Sequence, residues 1–243
     1  MNVWKINGLG ANFSYLEKGM AMNFSNKVVL VTGAAVGIGR NIAIDFAKRG
    51  AKVAVNFSKS AKEAEETLTR IAEAGGDGML CQCDVSDEKS VPGMIDRVVQ
   101  KFGRLDILVN NTGITSFIDW NDLDGATGDI WEKLYRVNVM GMFFCSRAAA
   151  KVMPEGGVIV NVSSVSGHTP NGSSIPYSVS KAAVLHLTKC LAKALSPKLR
   201  VVSVSPGVVD DTRWNSGRDA SAVYAKGAEL SLSEEDLPVD TAR

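Results

Sequence analysis

From residue 26 onward, short apolar runs alternate with longer stretches of helical spacing. The runs at 27–32, 52–57, 79–84, 105–110, 158–163 and 200–205 are nearly all apolar and lack strict polar alternation, which predicts strands covered on both faces. Segments 38–48, 62–74, 87–102, 130–152 and 177–195 repeat apolar residues at the period of a helix. Pro92 falls near the first turns of its segment, where proline does least harm. Regular strand–helix–strand alternation predicts an α/β fold: a doubly wound parallel sheet between two helix layers, with right-handed crossovers. No repeat, low-complexity stretch or linker divides the chain, so a single domain is expected over 26–212. Residues 1–25 carry no clear period, with Met20 and Met22 near their end, and are expected to be either a loose extension or a segment upstream of a natural start at Met20 or Met22. Residues 213–243 are expected to form a lid-like, divergent C-terminus.

Composition narrows the picture. The chain has 243 residues, 45% hydrophobic and 22% charged, which suits a soluble globular domain and argues against disorder or a disulfide scaffold. A formal net charge of +1 without runs of like charge gives no footprint for nucleic acid or an anionic membrane. No apolar run reaches the length of a membrane span and no signal-peptide core is present, so a cytoplasmic protein is expected. Cys81, Cys83, Cys145 and Cys190 form no CxxC pair and are expected to be reduced, buried thiols. No His, Cys or carboxylate cluster has metal-ligand spacing, and no metal is expected. His186 is expected to be a packing residue.

Two constellations carry chemistry. The first strand runs into Thr32-Gly33-Ala34-Ala35-Val36-Gly37-Ile38-Gly39 and then directly into a helix. Glycines permit a tight turn and close approach of backbone to a diphosphate, and the helix N-terminus offers free N–H groups and the positive end of its dipole. At the end of the second strand, where a carboxylate would bond the ribose hydroxyls of NAD, stands Phe57, flanked by Asn56 and by Ser58, Lys59 and Ser60. Hydroxyl and ammonium donors suit a 2′-phosphate, so NADP(H) is favoured over NAD(H). Further along, Tyr177 and Lys181 are four apart on one helix face, and Ser164 ends the fifth strand thirteen positions before the tyrosine. A helical Asn138 lies upstream in Arg136-Val137-Asn138-Val139-Met140-Gly141.

Taken together, Thr32–Gly39, Asp84-Val85, Asn110-Asn111-Thr112-Gly113, Asn138, Ser164, Tyr177-x-x-x-Lys181 and Pro206-Gly207 resemble the classical short-chain dehydrogenase/reductase family, most closely its 3-oxoacyl-carrier-protein reductase-like group. The resemblance spans 26–209 in family order and spacing. It implies a Rossmann-type, three-layer αβα fold and NAD(P)-linked interconversion of a carbonyl and a secondary alcohol. Tyr177 would be the general acid or base. A free tyrosine lies about 4 kcal/mol from being a useful base at neutral pH. The Lys181 ammonium, together with the charge of an oxidised nicotinamide, would close much of that gap. Ser164 would bond the substrate oxygen, and Asn138 would hold a water relaying protons from Lys181. Cofactor contacts are implied for Gly33, Gly37, Ile38, Gly39, Asn56, Ser58, Lys59, Asp84, Val85, Asn110, Gly113, Tyr177, Lys181, Pro206, Gly207 and Val209. Asn110 would also brace the sheet.

The pattern departs from the family in two places. Asp211 stands where a threonine commonly follows the Pro-Gly pair, with Thr212 next. The acidic, proline-broken 231–243 lacks a strand-like run, so the last strand and C-terminal helix are expected to be missing. Family tetramers use contacts from both regions; here a homo-oligomer through the helices at 130–152 and 177–195 is expected, a dimer rather than a tetramer. Substrate is expected to be a small carbonyl or alcohol. The alternative reading is a truncated, inactive homologue that binds nucleotide or protein partners without turnover.

Overall fold

Pairing of the six apolar runs is what organises the molecule. The computed structural model describes residues 22–207 and Val209. In chain order the elements are β1 (Val28–Val31), α1 (Gly37–Lys48), β2 (Lys52–Phe57), α2 (Ala61–Glu73), β3 (Asp77–Gln82), α3 (Val91–Phe102), β4 (Ile107–Asn110), α4 (Gly128–Tyr135), a π-helical turn (Arg136–Met140), α5 (Gly141–Val152), β5 (Gly157–Val162), a 3₁₀ turn (Val165–Gly167), α6 (Ile175–Leu195) and β6 (Leu199–Val204). The strands pair in parallel in the order β3-β2-β1-β4-β5-β6. The chain winds outward from β1 to β3 and then crosses back to β4, so the connections that leave the paired β1 and β4 run to opposite faces of the sheet and leave a crevice at its C-terminal edge.

Strand periodicity divides the core into two layers. Val28 and Leu30 of β1 face α3, α5 and α6, packing with Met94, Ile95, Phe144, Cys145 and Leu191. Val29 and Val31 face α1 and α2, packing with Ala43, Ala47, Ala64 and Ile71. The alanines at 43, 47 and 64 let α1 and α2 lie close against the strands. At the opposite edge from the crevice, the carboxylate of Asp106 accepts from Val28 N at 2.9 Å and from both arms of Arg104, at 2.9 and 2.6 Å, so a buried charge is fully bonded.

The expected elements are present with instructive shifts. The 79–84 run forms β3 two residues earlier, because Asp84 leaves the ladder to accept from Ser86 N and Oγ at 2.9 and 2.7 Å. The expected 87–102 helix starts only at Val91, with Pro92 in its first turn. The long 130–152 helix is broken by the π turn at Arg136–Met140, a feature that hydrophobic period does not encode. Phe24 stacks edge-on with Phe46 at 4.9 Å and its N–H donates to Arg49 O at 2.8 Å, so packed structure begins two residues before the boundary expected at 26. Cys190 and His186 are exposed rather than buried. On β6, Val202 and Val204 are 44% and 46% exposed among the described residues. The expected loss of a last strand, the Asp211–Thr212 departure and the 213–243 lid lie outside the described residues. No described helix is long and apolar enough to cross a membrane.

Candidate active site

The glycine turn is built from behind by polar side chains. Thr32 Oγ1 accepts from Asn111 N and Thr112 N at 2.9 and 3.0 Å, and Asn111 Nδ2 donates to Thr32 O and Gly33 O at 3.0 and 3.3 Å. These bonds tie the turn to the end of β4. Gly33 and Gly37 have φ of +62° and +56°, the left-handed region that favours glycine. A Cβ on Gly39 would stand 2.4 Å from Gly33 O, so only glycine allows α1 to start this close to the turn. Val36 at the cap offers no side-chain acceptor and the first turn holds no acidic residue. The N-terminal N–H groups of α1, including that of Ile38, and the dipole behind them therefore face the crevice unopposed by negative charge, an arrangement suited to an anion.

Around this turn the other expected cofactor residues fall into two groups. Asp84 and the exposed Ser58 and Lys59 lie at the C-terminal ends of β3 and β2, beside the turn. Val85 is buried, its side chain against Gly141. Asn56 and Asn110 point into the protein instead. Asn56 Oδ1 accepts from Gly33 N at 3.2 Å, and its Nδ2 donates to Cys81 O and Cys83 O, both at 3.0 Å. Its side chain is thus used up bracing three strand ends and acts on the turn rather than on a ribose. Asn110 Nδ2 donates to Asn161 Oδ1 at 2.9 Å and Ser146 Oγ at 3.0 Å, which makes it the sheet brace the sequence suggested.

The second constellation closes the crevice. Ser164 leaves β5 in an extended conformation, and its Oγ accepts from Ser166 N at 3.2 Å, capping the 3₁₀ turn. The Ser164 hydroxyl stands close enough to the Tyr177 phenol to pull its pKa down. Tyr177 sits in the first turn of α6, where its N–H donates to the capping Ser174 Oγ at 3.3 Å. One turn on, Lys181 places Nζ 5.8 Å from the centre of the Tyr177 ring and donates to Val162 O at 2.9 Å. Asn138 lies in the π turn, wholly buried, with Oδ1 accepting from Ile114 N at 2.8 Å. Its Nδ2 donates to Ile114 O and Ser180 Oγ, each at 3.0 Å. A Cβ added to Gly113 would stand 3.3 Å from Lys181 Nζ and 3.5 Å from Asn138 Oδ1, so glycine keeps that side of the lysine open. Val165 N donates to Pro206 O at 3.1 Å, which sets Pro206 and Gly207 beside the Ser164 turn. Val209 is half-buried just beyond.

Three features of this site escaped the sequence reading. The π turn that aims Asn138 inward has no periodic signature. Ser180, the bridge from Asn138 to α6, stands three residues after Tyr177, a spacing that shares its helix face and could have marked it. Ser163, the neighbour of Ser164 just after β5, donates its Oγ to Lys181 O at 2.8 Å and anchors α6 on β5.

Burial governs the charges here. It pushes the Tyr177 phenol up to about 12, with the Ser164 hydrogen bond pulling the other way. It also pushes Lys181 down to about 8. The folded value of Lys181 thus lies below the 10.5 of an unburied lysine. Between those two pH values the unfolded chain binds a proton that the folded chain has released, so raising pH through this window stabilises the fold. Below it both states are protonated and the cost of burying the ammonium applies in full. Lys181→Met removes that cost, so the Tm difference between Lys181→Met and the parent is expected to shift in favour of the parent as pH rises from about 7 to about 10. Thermal unfolding across that range checks it; a difference independent of pH contradicts it.

Comparison with known proteins agrees with this geometry. A family model described as short chain dehydrogenase matches residues 27–222. Versicolorin reductase stcU of Emericella nidulans is 36% identical over 236 residues, 89% of this chain and 86% of that protein. The 3-oxoacyl-[acyl-carrier-protein] reductase FabG of Staphylococcus aureus is 39% identical over 186 residues, covering 75% of this chain and 74% of that protein. Among solved structures, a short chain dehydrogenase from Burkholderia cenocepacia in complex with NADP superposes with a TM-score of 0.73 at 33% identity, covering 88% of this chain and 94% of that one. A short-chain type dehydrogenase/reductase from Mycobacterium marinum gives a TM-score of 0.72 at 38% identity, over 76% of each chain. With the turn, the crevice and the Ser164–Tyr177–Lys181 cluster in place, the chain belongs to the short-chain dehydrogenase/reductase family.

Proposed function

We propose that this oxidoreductase reduces a ketone to a secondary alcohol with NADPH, using Tyr177 as the proton donor. The observation that carries the reading is the buried cluster in which Ser164 faces the Tyr177 phenol and Lys181 stands one helical turn away, its Nζ 5.8 Å from the ring centre. The residues fit a dinucleotide. The uncapped start of α1 and the left-handed Gly33 and Gly37 would hold the diphosphate. Asp84 and the backbone of Val85 would hold the adenine, Lys181 the nicotinamide ribose, and Pro206, Gly207 and Val209 the nicotinamide. When bound, the reduced nicotinamide supplies the hydride.

What the chain itself contributes follows from burial. A phenol held near 12 is fully protonated at neutral pH, which suits donation of a proton to an oxygen gaining charge. A carbonyl oxygen arriving at Ser164 and Tyr177 would accept from both hydroxyls and be fixed for attack, its developing charge stabilised. Loss of the proton leaves phenolate, which the nearby Lys181 amine favours when protonated, and Asn138 would position the water that returns a proton to Lys181. The free protein thus holds the phenol in the protonated form that donates. An inactive, nucleotide-binding homologue has less in its favour, because serine, tyrosine, lysine and asparagine are all retained and clustered.

For the cofactor, Phe57 fills the place of a ribose-binding carboxylate, while Lys59 is exposed beside the turn. That combination favours NADPH. Exposed Tyr135, Phe143 and Val152 along α4 and α5, with Val179 on α6, support a dimer through these helices.

Three outcomes are expected. Tyr177→Phe loses at least about 10²-fold in kcat on a panel of small ketones while still binding NADPH; full turnover by this variant rules the mechanism out. In fluorescence titration, Lys59→Ala weakens NADPH about tenfold and leaves NADH unchanged; equal loss for both cofactors removes the case for a 2′-phosphate contact. Sedimentation of the purified protein gives a dimer; a stable tetramer contradicts the interface.

A further inference from the structure

We propose that Thr115 and Trp120 are positioning residues that fix the first turn of α6, and with it the phenol of Tyr177; this rests on the reading of Tyr177 as proton donor. The loop after β4 runs from Asn111 through Trp120 without regular structure. Its near end is clamped where both main-chain groups of Ile114 bond Asn138, which in turn holds Ser180 of α6. Its far end is sewn to the segment that leads into α6. Ile118 N donates to Ser173 O at 3.1 Å, and the Trp120 indole N–H donates to Gly172 O at 2.9 Å. The hydroxyls of Thr115 and Ser173 also hydrogen-bond.

The placement of those bonds matters more than their number. Gly172 and Ser173 immediately precede Ser174, which is wholly buried and caps α6. Ser174 Oγ accepts from Tyr177 N at 3.3 Å and Ser174 O accepts from Ser178 N at 3.1 Å. The strap therefore holds α6 on both sides of Tyr177, before it at 172–174 and after it at Ser180. A helix N-terminus has no intrahelical partners for its first N–H groups and frays unless they are tied. A proton donor in that first turn inherits any fraying as misplacement of its hydroxyl relative to Ser164, and small misplacements are costly to rate. Asn138 secures the helix from inside the protein; Thr115 and Trp120 secure the approach to it.

Conservative variants separate this role from general stability. Trp120→Phe keeps a ring and deletes the N–H; Thr115→Val keeps the shape and deletes the hydroxyl; Thr115→Ser restores it. Amide hydrogen exchange over 172–178 is expected to quicken about tenfold in Trp120→Phe and Thr115→Val, and to stay at the parent rate in Thr115→Ser. In the same two variants kcat for ketone reduction falls about tenfold with NADPH affinity unchanged. Unchanged exchange in this segment overturns the proposal, as does acceleration spread equally over all helices. So does quickened local exchange with kcat intact. If Trp120→Phe does not fold, the Thr115 pair carries the same test. Exchange is readable whether or not any ketone is reduced. Should the parent turn over no carbonyl, the role of Tyr177 fails while the strap is still judged on its own.

Discussion

The structure around the crevice depends on burying a lysine amine. Lys181 is 3% exposed, and burial alone moves its amine down to about 8. An amine placed there needs an acceptor, an open side and a rigid mount. Val162 O supplies the acceptor at 2.9 Å, and Gly113 keeps a neighbouring side clear. The mount is α6, fastened to β5 by Ser163, to the π turn by Ser180 and Asn138, and to the loop after β4 through residues 172–173. Removing any one fastening leaves a buried polar group without its partner, which costs about 1–3 kcal/mol and loosens the helix that carries both Tyr177 and Lys181.

The same logic explains why polar side chains crowd the C-terminal edge of an otherwise apolar sheet. Thr32, Asn56, Asn110 and Asn161 are each almost wholly buried, and each bridges neighbouring elements. Asn161 continues the chain of bonds by donating to Thr188 of α6 at 2.9 Å. The turn that would hold a diphosphate and the cluster that would handle a proton are thus parts of one hydrogen-bonded frame, spread across β1, β2, β4 and β5. The connections from β1 and β4 part at this switch point, and that frame ties together the strand ends that line the opening.

Much of this was legible in the residues because it rests on local rules. Apolar runs without alternation mark buried parallel strands, and all six runs became strands. Glycine spacing marks the turn, and a four-residue separation puts Tyr177 and Lys181 on one face. The rest depends on tertiary contacts that no local period records. Asn56 is expected among the cofactor contacts from its place one residue before the end of β2, yet its side chain accepts from Gly33 N and donates to Cys81 O and Cys83 O. Asn138 sits in a segment whose apolar pattern reads as unbroken helix, and only the π turn aims it at Ile114 and Ser180. Trp120 and Ser173 are more than fifty residues apart in the chain, and their common purpose is visible only once both loops are placed.

The central claim is that burial keeps the Tyr177 phenol protonated in the free protein and that a neighbouring positive charge is needed to release it. Ultraviolet difference titration of the parent against Tyr177→Phe isolates this one phenol from the three other tyrosines. The account predicts that it stays protonated past pH 10 in the free protein, toward about 12, and titrates at distinctly lower pH with NADP⁺ bound. A phenol that ionises near 10 both with and without NADP⁺ would contradict it.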